Sequence, residues 1–169
     1  MIFGLILTPR LVSLAIVALC AGALGTALAS QYWGGLQPCI LCIYQRYAYV
    51  GALAFGVLGL ALAGNRVAHR LSVALAGVSF MVGSAIAFFH TGVEQKWWRG
   101  TDECHAPSID PDASLEEMKD LLLNQNFVPC DEIPWALFGL SMAAWNFIAM
   151  LAFGALCFWA LMQMKERRP

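Results

Sequence analysis

Apolar runs dominate this chain, and short polar breaks separate them. No Asp, Glu, Lys or Arg occurs between Arg10 and Arg46, between Arg46 and Arg66, between Arg70 and Glu94, or between Glu132 and Lys165. A helix that crosses a bilayer needs roughly 20 apolar residues. The pattern therefore predicts four spans, at 11–29, 43–63, 71–89 and 135–162, with loops at 30–42 and 90–134. The expected fold is an all-α four-transmembrane-helix bundle forming one domain over residues 1–169, with no separate soluble domain, linker, internal repeat or low-complexity tract. Composition agrees: 60% of residues are hydrophobic and 12% charged, where a soluble domain carries about 25% charged residues.

Charge then orients the bundle. Arg10, Arg66, Arg70, Lys165, Arg167 and Arg168 lie at the termini and in the 64–70 break, while ten of the eleven acids lie between Glu94 and Glu132. The positive-inside rule places both termini and the 64–70 loop in the cytoplasm and the two cysteine-bearing loops outside. A competing reading takes Arg10, the first apolar run and Ala27-Leu28-Ala29 as a cleavable signal peptide. Cleavage would leave three spans and break the agreement between the termini and the charge bias.

Within the long outer loop, Ser114 and Glu117 form a capping box. Leu115, Met118, Leu121 and Leu122 follow on one helical face. This predicts a short amphipathic helix at the lipid surface.

Chemistry enters with the cysteines. Cys39 and Cys42 form a C-x-x-C at the start of the second span, and Cys104 and Cys130 lie in the long loop. The remaining two, Cys20 and Cys157, fall in mid-span and are expected to be inert. The outer side of a bacterial inner membrane is oxidising, so disulfides persist there. Four cysteines allow three pairings, which sequence does not decide. Cys39 and Cys42 are close enough to pair, leaving Cys104 with Cys130.

Pro38 sets the helix start near Cys39. Cys42 then falls in the first turn, where free N–H groups and the helix dipole favour a thiolate. Arg46 lies four residues on, on the same face, and is expected to stabilise that thiolate and bind an electron-rich ligand; the bland reading is an interfacial anchor. His90 ends the third span at the same depth, as a candidate for ligand binding or proton handling. Glu94 shares its face if the helix continues. Trp33, Trp97, Trp98, Trp135, Tyr32, Tyr44 and Tyr47 read as an aromatic belt, some of them able to wall a flat ligand beside Cys42. A Cys3His zinc site that adds Cys104 and His105 to the C-x-x-C is the weaker reading, because no second C-x-x-C or His-x-x-x-His supports it. No metal and no nucleic-acid partner is expected.

The run Gln37-Pro38-Cys39-Ile40-Leu41-Cys42-Ile43-Tyr44-Gln45-Arg46, the His90 region, the two loop cysteines and the run Trp135-Ala136-Leu137-Phe138-Gly139-Leu140-Ser141-Met142 resemble the DsbB family. These are bacterial inner-membrane disulfide bond formation proteins, and the resemblance covers nearly the whole chain. It implies a quinone-dependent thiol oxidase that reoxidises a periplasmic DsbA-like thioredoxin-fold protein, with ubiquinone or menaquinone as acceptor. By the same resemblance, Cys104 forms the mixed disulfide with the partner and Cys130 is its intramolecular mate. Cys39 exchanges with the loop pair, and Cys42 is the quinone-facing thiolate, with Arg46 and His90 beside the quinone.

A structural disulfide below about −300 mV is a poor oxidant, so such a relay needs a strongly oxidising acceptor coupled to Cys42. Three alternatives remain. One is a DsbI-like relative with a dedicated substrate. Another is the vitamin K epoxide reductase type, whose C-x-x-C follows its loop pair rather than preceding it. The third is a non-enzymatic four-span protein with a stapled outer loop, as in tetraspanins.

Overall fold

The structure, a computed structural model, describes residues 8–104, 114, 116 and 128–166. The amphipathic helix expected from Ser114 and Glu117 onward falls almost wholly outside the described residues, as does His105. Among the described residues four helices are long and apolar enough to cross a membrane: α1 (Pro9–Tyr32), α2 (Ile40–Ala61), α3 (Arg66–Glu94) and α4 (Met142–Glu166). The chain is a multi-pass membrane protein.

Local chemistry sets each helix start. Thr8 caps α1, its Oγ1 accepting from Leu11 N at 3.3 Å, and Pro9 follows as the first helical residue. Cys39 caps α2 with its sulfur. Asn65 caps α3 by accepting from the backbone N–H groups of Val67 and Ala68.

The fourth helix corrects the sequence reading: it begins at Met142 rather than at 135. Ala136–Leu137 and Leu140–Ser141 instead pair as a two-stranded antiparallel hairpin. Its turn residues, Phe138 and Gly139, have φ of 52° and 80°, so both adopt the left-handed conformation that a tight two-residue hairpin turn demands. Ser141 then caps α4, accepting from Ala144 N at 3.1 Å. The segment is apolar enough to read as span, but turn geometry overrides hydropathy here. At the other boundary, α3 continues past residue 89 to Glu94, placing His90 and Glu94 one turn apart inside the helix.

Packing follows the logic of a bundle in lipid. Apolar side chains such as Leu14, Val57, Val82 and Leu156 face outward, while His69, Ser84, Gln45, His90 and Glu94 are buried. Lipid supplies no hydrophobic force between helices, so close van der Waals approach holds them. α3 is central, packed between α2 and α4, with α1 resting on α2. Gly83 permits one such approach, because a Cβ there would lie 2.5 Å from Met150 Sδ and 2.8 Å from Ala48 Cβ.

At the end of the bundle remote from the C-x-x-C, Arg66 donates to the Met164 carbonyl and Arg70 to that of Leu161 at 3.2 Å. Both cations thus sit at the negative end of α4. Cys20 and Cys157 are free, buried thiols of the apolar core formed with Tyr49, Phe80 and Met150.

Candidate active site

Pro38 is followed by the first turn of α2, and that turn places the two thiols together. Cys39 Sγ and Cys42 Sγ lie 3.0 Å apart, and the Cys42 backbone N–H donates to Cys39 Sγ at 3.4 Å. The helix-start N–H expected to favour a Cys42 thiolate is therefore spent on Cys39. The capping position belongs to the first cysteine, one turn earlier than the sequence reading placed the charge. Hydrogen bonds from the Cys42 thiol and from His90, with the Cys42 N–H, hold Cys39 well below the ordinary thiol range despite its burial. An ordinary thiol titrates near about pH 8.5 and is unreactive well below that. In the reduced protein, Cys39 is expected to be alkylated by iodoacetamide at pH 6 at a rate little below its rate at pH 8. Mass mapping of the labelled peptide checks this; a rate that falls tenfold per pH unit from pH 8 downward would refute it.

His90 comes directly to the pair, with Nε2 3.5 Å from Cys39 Sγ and Nδ1 3.1 Å from Gln45 Nε2. The Glu94 carboxylate lies 3.9 Å from His90 Nε2 and accepts from the Ser141 hydroxyl. Ser141 thus caps α4 and orients Glu94 at once. Gln45, Glu94, Ser141 and Asn146 complete the polar site, and the sequence reading gave none of them a role. Their signal was nonetheless present: polar side chains inside apolar spans are costly and seldom idle.

Arg46 departs from expectation. Its guanidinium donates to Gln31 Oε1 at 2.6 Å and to the Ala27 carbonyl at 3.2 Å, so it bridges α2 to the end of α1. It turns to α1, because an arginine extends well beyond one helical turn and α1 offers two acceptors.

The second pair is oxidised. Cys104 and Cys130 form a disulfide with Cα atoms 5.1 Å apart. A 3-10 turn (Asp102–Cys104) carries Cys104, and Tyr44 of α2 donates to Glu103 Oε2 at 2.7 Å, tying that turn to the helix that bears the C-x-x-C. Cys39, Leu41, Val93, Cys104 and Cys130 form one buried cluster, with Cys42, Tyr44 and Phe89 partly buried against it. Cys130 is fully buried, whereas Cys104 lines an outward-opening pocket of about 300 Å³ with Lys96, Arg99 and Asp131. Trp98 stacks on Phe89 with ring centroids 5.9 Å apart and donates its indole N–H to the Phe89 carbonyl; Trp33 is almost fully exposed.

The ligand atoms of Cys39, Cys42 and His90 lie within 4.8 Å of one another. A zinc site drawing on Cys104 does not arise, because that sulfur is in the disulfide.

A dithiol at one end of a four-helix membrane bundle, packed against a disulfide from the long loop, defines a membrane thiol–disulfide oxidoreductase. The chain belongs to the family described as disulfide bond formation protein DsbB, whose sequence model it matches over residues 9–160. It is 30% identical to the disulfide bond formation protein B of Stutzerimonas stutzeri (strain A1501), over 92% of this chain and 96% of that protein. It is 34% identical to the protein of that name from Xanthomonas axonopodis pv. citri (strain 306), over 84% of this chain and 82% of the relative.

Proposed function

We propose that this protein oxidises the dithiol of a periplasmic DsbA-like thioredoxin-fold protein and passes the electron pair to a quinone in the bacterial inner membrane. Both termini face the cytoplasm, and the two redox loops face the periplasm. The observation that carries the reading is the shared cluster: Cys39 is buried with Cys104 and Cys130, while Cys42 is only half-buried at its edge. The first cysteine of the C-x-x-C is thus buried with the loop disulfide, and the second lies partly exposed at the edge of that cluster. A loop disulfide that only stapled would gain nothing from packing against a second thiol pair.

The steps conserve electrons and protons. A partner thiolate attacks Cys104, forming the interchain disulfide and releasing Cys130 as thiolate. The partner's second thiol then displaces Cys104, leaving the partner oxidised and the loop pair reduced. The loop dithiol reduces a Cys39–Cys42 disulfide by the same exchange, with Cys39 as the sulfur attacked and Cys42 as the one released; each exchange passes through a mixed disulfide.

The residues fit a quinone on one observation: a half-buried thiol at the edge of an apolar cluster that aromatic Tyr44 and Phe89 also border. The quinone, when bound, takes up two electrons and two protons. Cys42 supplies the electron pair, and His90 and Glu94 stand close enough to the pair to hold a proton. Arg46, fixed between Gln31 and Ala27, would offer its remaining guanidinium N–H groups to an electron-rich ligand.

The test is anaerobic quinone reduction by the purified protein in detergent, driven by a reduced DsbA-type protein. Sustained turnover of quinone to quinol with matching oxidation of the partner is expected. Absence of turnover, with both cysteine pairs unreactive, would overturn the reading in favour of a stapled structural loop.

A further inference from the structure

A continuous chain of hydrogen bonds runs inward from Cys39 across three helices. His90 Nε2 is 3.5 Å from Cys39 Sγ, and His90 Nδ1 is 3.1 Å from Gln45 Nε2. Gln45 Oε1 is 2.6 Å from Asn146 Nδ2, and Asn146 Oδ1 is 2.7 Å from the Tyr49 hydroxyl. Every buried side-chain nitrogen and oxygen among the described residues has a partner, so the direction of the chain follows from its fixed ends.

Two contacts outside the chain set that direction. The Leu41 carbonyl lies 3.2 Å from Gln45 Nε2, and a carbonyl oxygen accepts only. The Gln45 atom facing it must therefore be the NH2 group; turning the amide over would set two oxygens against each other. Gln45 then has two N–H groups and two acceptors for them, the Leu41 carbonyl and His90 Nδ1. Likewise Met150 Sδ, a weak acceptor, lies 3.9 Å from Asn146 Nδ2, which leaves Asn146 Oδ1 to accept from Tyr49. Read from the inner end, each group donates to the next: Tyr49 to Asn146, Asn146 to Gln45, Gln45 to His90.

We propose that Gln45 is a positioning residue that holds His90 as its Nε2–H tautomer, aiming the imidazole proton at Cys39. The amide saturates Nδ1 as an acceptor, so in neutral His90 the one proton sits on Nε2. That nitrogen faces the Cys39 sulfur and the Glu94 carboxylate. Asn146 and Tyr49 act behind Gln45 by keeping its amide from turning. The titratable and charged groups around the ring are Cys39 and Cys42 from the start of α2 and Glu94 from α3. The Cys130 backbone also faces the ring. The value of this arrangement to turnover rests on the relay proposed above. The tautomer itself does not.

The test is nitrogen-15 NMR of the full-length reduced protein in detergent, labelled at its histidine ring nitrogens. The His90 signals are identified by their loss in His90→Gln. At a pH high enough for the ring to carry one proton, the native protein is expected to show His90 protonated at Nε2 and bare at Nδ1. In Gln45→Glu the side chain turns from donor to acceptor, and the proton is expected at Nδ1. Gln45→Met, which keeps the length but removes the donor, is expected to show both tautomers. It should also slow Cys39 alkylation between about twofold and tenfold, the range for losing part of one neutral hydrogen bond. A native His90 protonated at Nδ1, or the same tautomer in native and Gln45→Glu proteins, overturns the proposal. Because the native measurement needs neither quinone nor partner, its failure is distinct from a failure of quinone turnover.

Discussion

Replacing Cys42 with serine is expected to reduce quinone reduction to the uncatalysed background, while oxidised Cys104–Cys130 still exchanges once with a reduced partner. The reason is positional. Of the four sulfurs in the proposed relay, only Cys42 belongs to a half-buried residue; the residues Cys39, Cys104 and Cys130 are all buried. Cys39 cannot substitute, since its sulfur points into the cluster toward His90 and the loop pair. The measurement has two parts: steady-state quinol formation, and a single-turnover assay in which partner thiols are counted after mixing with stoichiometric oxidised protein. The expected pattern is no quinol and up to one equivalent of oxidised partner. Quinol formation at even a tenth of the native rate would show that electrons leave by another sulfur.

The second large effect concerns the outer pair. In Cys130→Ser, Cys104 keeps its place on the 3-10 turn but has no intramolecular mate. Mixed with a DsbA-type partner whose second cysteine is replaced by serine and whose first is held as a mixed disulfide with thionitrobenzoate, its thiolate attacks the partner's sulfur. One interchain S–S bond forms and thionitrobenzoate is released. With Cys39–Cys42 oxidised, neither protein then has a thiol beside that bond to displace it, so a covalent complex should accumulate to a large fraction of the protein. It would appear on a non-reducing gel at the summed mass and vanish with reductant. Cys104→Ser should give little or none. The asymmetry follows from the pocket: Cys104 opens onto it beside Lys96 and Arg99, which favour an approaching thiolate, whereas Cys130 is fully buried. Equal trapping by the two variants would mean that the loop opens enough to expose either sulfur.

Most of the bundle was legible because hydropathy and charge act over whole segments. The gaps between Arg10, Arg46, Arg66, Arg70 and Glu94 located three helices, each of which starts a few residues earlier than expected, at caps Thr8, Cys39 and Asn65; α1 and α3 also run on past their expected ends, while α2 stops at Ala61, short of 63. The fourth start was misplaced because Trp135, Leu137, Phe138 and Leu140 are as apolar as a span. What turns the chain there is the left-handed pair Phe138–Gly139 and the Ser141 cap. Backbone geometry of that kind leaves almost no trace in hydropathy.

Within the site, the C-x-x-C and His90 stood out by residue type and depth. The direction of Arg46 did not, because helical spacing says which face a long side chain leaves from and not which neighbouring helix supplies its acceptors. Gln45 and Asn146 lie on different helices far apart in sequence, and only the packing of α2 against α3, and of α3 against α4, brings Gln45 to His90 and Asn146 to Gln45. Their presence in apolar spans was visible, but their partnership was not.

The two thiols sealed in the apolar core, Cys20 and Cys157, also give the chain a fixed bookmark for counting its redox state. Both belong to a different cluster from Cys39, Cys104 and Cys130, so both are expected to remain available as thiols once the protein is denatured. Of six cysteines, denaturing alkylation should therefore label two when both redox pairs are oxidised, four when one is, and all six when neither is. The label count never reaches zero. An intact-mass spectrum taken during turnover reads the number of electron pairs held on the protein directly, against a baseline that the sequence itself provides.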